Sequence, residues 1–156
     1  MYRHKVKRGF TLMEVLVVIG IIAILAGVVL VAINPSRQFQ QARDSQRTSN
    51  TAAILNAVGQ YVVDHKGDLP ANISSTTKQN IASGGADICK DLVPTYIPAL
   101  PTDPSSLHKG AGLIETDCTS GHTYDTKYTI QKDANGRITV TAAPETPGAD
   151  PISMTR

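Results

Sequence analysis

One segment of this chain is long enough to cross a lipid bilayer, and its only charge lies near its start. After a basic leader from Met1 to Gly9, the sequence reads Phe10-Thr11-Leu12-Met13-Glu14 and then stays apolar from Val15 to Ile33. As a helix rising about 1.5 Å per residue, residues 10–33 would extend roughly 36 Å, against about 30 Å for a hydrocarbon core. A carboxylate in such a segment is costly, about 2.5–3.5 kcal/mol at a helix centre, so it is kept where it has a task.

The distribution of charge matters more than its sum. The 156-residue chain has net charge +2, and four of its 15 basic residues (Arg3, Lys5, Lys7 and Arg8) fall in a leader without any acid. Without those four, 11 basic residues face 13 acidic ones. A mildly acidic remainder argues against nucleic acid as a partner. Basic residues just before the apolar run place the N-terminus in the cytoplasm and the rest of the chain outside. The run continues past Ala23-Ile24-Leu25-Ala26-Gly27, the stretch nearest to a signal-cleavage site, so it reads as a retained anchor. Cys89 and Cys118, the only cysteines, lie in the exported part. There a pair tends to close, and a disulfide is expected, two free thiols being the alternative. Closing a loop of about 30 residues stabilises by about 3–4 kcal/mol in the chain-entropy treatment.

Five zones follow: leader 1–9, apolar helix 10–33, an amphipathic continuation of that helix over 34–66, a small globular domain over 67–143, and a flexible tail over 144–156. Pro35 predicts a kink or local break between the helical halves. Beyond it, Arg43 and Arg47 share a helix face at i, i+4. Ala52, Leu55, Val58 and Val62, flanked by Ile54 and Tyr61, form an apolar stripe that predicts core packing. Gly67 and Pro70 supply a helix stop. Residues 72–85 read as an exposed polar loop, 87–93 as a short helical turn, and the prolines at 94, 98, 101 and 104 as an extended path. Tyr124, Thr126, Tyr128 and Ile130 alternate, and Ile138 and Val140 resume the pattern after Asp133-Ala134-Asn135-Gly136, which predicts an antiparallel hairpin. The fold class is α+β: a long N-terminal helix packed on a small antiparallel sheet.

Catalytic and metal-binding constellations are weak. His65, His108 and His122 do not combine with the cysteines at zinc spacing. Asp103, Asp117 and Asp125 offer oxygen ligands of the kind calcium takes, but at no diagnostic spacing. No metal site and no cofactor are expected. No nucleophile–base pair, phosphate-cradling loop or paired carboxylates suggest an enzyme.

Lys7-Arg8-Gly9-Phe10-Thr11-Leu12-Met13-Glu14, followed by the apolar run, resembles the processing motif of type IV prepilins and type II secretion pseudopilins. Pro98 to Pro104 resembles a loop common in pilin-like domains. The resemblance implies a pilin-like fold, and a prepilin peptidase that cleaves after Gly9 and N-methylates Phe10. It also implies a helical homopolymer with the N-terminal helices at its centre, built on an inner-membrane assembly platform. Glu14 would then pair with the Phe10 ammonium of a neighbouring subunit and set the register. The precursor would be a single-pass protein of the cytoplasmic membrane, and the assembled filament extracellular. Pro35 departs from the pattern, lying at mature position 26 where many pilins have a proline near 22. The leading expectation is a filament subunit without catalytic activity. The alternatives are a pseudopilin or minor tip pilin of a type II secretion or competence system, a DNA-binding module, or an anchored protein that never polymerises.

Overall fold

A computed structural model describes residues 9–73, 77–105, 110–119 and 121–156. The first eight leader residues, part of the 72–85 loop and His108 lie outside the described residues. The chain divides into two units, residues 1–38 and 39–156.

The first unit is dominated by α1, Leu12–Ala32. Thr11 caps it, its hydroxyl accepting the Glu14 amide at 3.2 Å, and no residue of the helix is buried. The helix is apolar all the way round, so no single protein face would cover it. Ile33 and Asn34 separate α1 from α2, Pro35–Asp64. The second helix starts where its sequence provides start chemistry. The Asn34 side chain accepts the Arg37 amide at 3.3 Å, and Pro35 occupies the first helical position, where a missing amide hydrogen is harmless.

The second unit is α+β. Its sheet has the order β1-β2-β3-β4 and is antiparallel throughout. The strands are β1 Gln79–Ala82, β2 Asp125–Lys132, β3 Ile138–Ala142 and β4 Ile152–Thr155. The expected hairpin is β2–β3, with Ile130 opposite Val140. Its turn is held by Asp133, whose carboxylate accepts the amides of Asn135 and Arg137, both at 2.8 Å. Gly136 takes the positive φ of 86° that the turn requires. Tyr128, Ile130 and Val140 are fully buried and join Ile54 and Val58 of α2 in one core. A short helix, α3 (Cys89–Leu92), falls within the expected helical turn, and a disulfide ties it to the 3₁₀ turn Glu115–Cys118. Both cysteines belong to the core cluster.

The helix stripe packs as expected, Ile54, Leu55 and Val58 being buried and Tyr61 and Val62 packed against the core, with Ala52 half-exposed; polar Arg47 and Thr51 continue the buried face upstream. Two expectations need correction. The loop 72–85 contains β1, in which Ile81 alone is a fully buried apolar anchor. The tail 144–156 is not free, because Ile152–Thr155 pairs with β3, Ala142 facing Ile152 and Thr139 facing Thr155. Ile152 and Met154 pack against the core from that strand.

Two stability measurements check this packing on the detergent-solubilised chain. Ile54→Ala should cost about 2–5 kcal/mol by chemical unfolding, whereas truncation of Val63, 78% exposed on the same helix, should stay within about 0.5 kcal/mol. Replacing both cysteines by serine should cost about 3–4 kcal/mol, for a bridge spanning 29 residues.

Candidate functional site

In the first unit the candidate residues are consecutive in the chain. Gly9 precedes the helix, and a side-chain carbon added there would meet nothing within 4 Å among the described residues. It is also absent from the glycines with positive φ. Neither space nor local backbone therefore demands glycine at this position. Phe10 is 84% exposed. Glu14 lies in the first turn of α1, where a carboxylate complements the helix dipole. Among the described residues its carboxylate has no ion-pair partner. Phe10, Glu14, Val15 and Val18 line a shallow hollow of about 300 Å³. By length and composition α1 can cross a membrane, and the segment fits membrane anchoring.

In the second unit the structure assembles a charged cluster that helix-face spacing only half anticipates. Arg47, 3% exposed, donates through Nε and Nη2 to the two Asp103 oxygens at 2.6 and 2.9 Å. Its Nη1 reaches Asp44 at 2.7 Å and Glu145 at 3.3 Å. Arg43 makes a second fork, onto Glu145, at 2.6 and 2.5 Å. Asp44 completes the joint by accepting the Glu145 and Thr146 amides at 2.8 and 2.9 Å. One turn of α2 thus grips the loop around Asp103 and the segment leading to β4. Next to it, Asn50 donates to the Tyr128 hydroxyl at 2.9 Å and to the Thr102 carbonyl at 3.3 Å.

Electrostatics follow from this geometry. Burial alone would raise the Asp103 carboxyl, but hydrogen bonds from Arg47 and Ser105 hold it below the usual carboxylate range. Asp44 is likewise held low: burial opposes ionisation and is outweighed by bonds from Thr146, the Glu145 amide and Arg47. The Arg43 fork lowers Glu145, and Asp103, despite the cost of burial, raises Arg47.

The three aspartates considered as oxygen ligands are not brought together. Asp103 binds Arg47, Asp117 accepts the Ile114 amide at 3.0 Å, and Asp125 pairs with Lys127 at 2.6 Å. Among the described residues no group of three or more His, Cys, Asp or Glu is placed to hold a metal ion. The Arg43/Arg47 cluster is the feature that a reading of the sequence missed as a site. Its only local signal is Asp44, three residues before Arg47. The other carboxylates are 56 and 98 residues away from Arg47.

Removing Arg47 should be severe, because Asp103 would be left buried without its counter-charge. Arg47→Ala is expected to cost about 3–5 kcal/mol, and Arg47→Lys should recover only part of it, since an ammonium cannot reproduce the fork. The lowered carboxylates also fix the sign of the pH response. Their folded-state values lie below unfolded values of about 4, so their stabilisation is complete above roughly pH 5 and is lost as pH falls through the folded values. Unfolding midpoints measured from pH 7 down to 3 should be level at first and then drop, more shallowly in the Asp44→Asn variant.

Comparison with known proteins bears on the first unit. Residues 4–30 match the family described as prokaryotic N-terminal methylation motif. No curated protein and no solved structure shows a significant match to the chain. The matched span covers the end of the basic leader, Gly9, Phe10, Glu14 and most of α1, and the fold behind it is a small α+β domain. The chain carries the prepilin-type N-terminal methylation motif of type IV pilins and pseudopilins.

Proposed function

We propose that this protein is a structural subunit of a type IV pilus-like filament, processed by a prepilin peptidase and polymerised through α1. The observation that carries this reading is the coincidence of the methylation motif over 4–30 with a helix that buries none of its residues. Such a helix needs either lipid or other copies of itself around its whole circumference. Before assembly the bilayer supplies that cover, and the leader keeps the N-terminus in the cytoplasm with the second unit outside. After assembly, neighbouring copies of α1 supply it in an extracellular filament, fed from an inner-membrane platform.

In this reading cleavage falls after Gly9, and Phe10 becomes the methylated N-terminus. The lack of a structural reason for glycine at position 9 supports recognition by another protein. The new ammonium and the Glu14 carboxylate are each costly in an apolar bundle and tolerable as a pair between neighbouring subunits. Apolar packing alone would allow the helices to slide, and the ion pair fixes their axial register. Glu14 is suitably placed for this, being in the first turn and without an ionic partner among the described residues.

Mass measurement of the mature N-terminus should find a chain beginning at methylated Phe10. Gly9→Ala should accumulate as unprocessed precursor and yield no filaments. Glu14→Gln, which keeps shape and removes charge, should still be processed but should lower filament yield at least about tenfold. Wild-type yield from Glu14→Gln would remove the register role from this carboxylate, and abundant filaments from uncleaved Gly9→Ala would overturn the processing step.

A further inference from the structure

We propose that the second unit carries a binding site for an aliphatic chain ending in an anionic group. The site is a half-open cleft of about 340 Å³ between the later part of α2 and the β2–β3 turn. That volume lies within the range of small-molecule sites, about 300–1,000 Å³. Its apolar lining includes Val58, Val62, Leu69 and Ile138, and its two cations are Lys132 and Arg156. Neither side-chain cation pairs with a side-chain carboxylate among the described residues; the Arg156 backbone is bonded to Ile138 in both directions, and its guanidinium donates to the Asn56 side chain at 3.2 Å. The neighbouring arginine, Arg137, is by contrast engaged with Asp133 at 2.8 Å. Apolar walls with uncommitted cations are the chemistry that a fatty-acid anion or an anionic lipid would satisfy.

Gly59 is the second, independent observation. Glycine in a helix interior is unfavourable, and Gly59 has no positive φ to explain it. A side-chain carbon there would stand 3.3 Å from Arg156 Nη1 and 3.8 Å from its Cδ. The missing side chain leaves room for the guanidinium to lie across α2 at the cleft. Gly67 also lines the cleft, and an added carbon there would meet nothing within 4 Å among the described residues.

The test uses the full chain in nanodiscs of zwitterionic lipid, with sodium decanoate as the probe and the amide NMR signals of Gly59, Gly67 and Gly136 as the readout. Decanoate should move the three signals saturably, and the Lys132→Gln/Arg156→Gln variant should weaken its binding about tenfold or more. Val62→Glu, which sets a negative charge in the wall, should abolish it while the spectrum stays dispersed. Decyltrimethylammonium, with the same chain and opposite charge, should leave the signals in place. Nanodiscs containing anionic lipid and no decanoate separate the sources: movement of the same signals assigns the cleft to a lipid, and movement with decanoate alone assigns it to a soluble fatty acid. Signals that ignore both, or that respond equally to either head-group charge, would overturn the proposal.

Discussion

A guanidinium removed from water must be given back its counter-charges, and the second unit is organised around meeting that demand at Arg47. Asp103 supplies two acceptors, Asp44 a third, and Glu145 is shared with Arg43. Because these carboxylates belong to three separate stretches of chain, satisfying one side chain fixes where those stretches run. A buried ion pair is not by itself strong evidence of added stability, since apolar residues of the same shape often do as well. What it does here is select an arrangement: a packing that kept Arg47 buried without these partners would strand a charge in the interior.

The two units answer to different solvents. Around α1 the apolar surface faces outward on every side, which is tolerable only in lipid or inside a bundle of like helices. The second unit has the ordinary inside-out arrangement of a water-soluble domain, with Ile54, Tyr128, Ile130 and Val140 enclosed. Its disulfide lies in that core and reinforces a part of the chain where the regular elements, α3 and the Glu115–Cys118 turn, are only four residues each.

What could be read from the sequence was what has a local cause. Alternating Tyr124, Thr126, Tyr128 and Ile130, followed by an Asp-Ala-Asn-Gly turn, identified the central hairpin, because strand period and turn chemistry are both written in consecutive residues. The cysteine pairing followed from there being two of them in a region expected to be exported. The outer strands were hidden because each is four residues long with few apolar side chains, Ile81 in β1 and Ile152 and Met154 in β4. Propensity says little about such segments, and their pairing is decided by a neighbouring strand that exists only in the folded domain. The arginine cluster was hidden for a related reason: i, i+4 spacing placed Arg43 and Arg47 on one face, but nothing nearby showed that Asp103 and Glu145 would come to meet them. At the other extreme, the N-terminal motif was legible because its pattern is linear, and the matched span 4–30 includes Gly9, Phe10 and Glu14.

The clasp between α2 and the approach to β4 also bears on when the domain can form. Arg43 and Glu145 are separated by 102 residues, so the loop they close encompasses the disulfide and three of the four strands. Contacts of such long range are made only after the intervening chain has been brought together. A chain emerging through a membrane with its anchor first would carry Arg43 and Arg47 out early, with Asp44 as the one carboxylate of the clasp beside them, until Asp103 and then Glu145 followed. On the proposed route the clasp would therefore close late, and a partly translocated molecule would lack it.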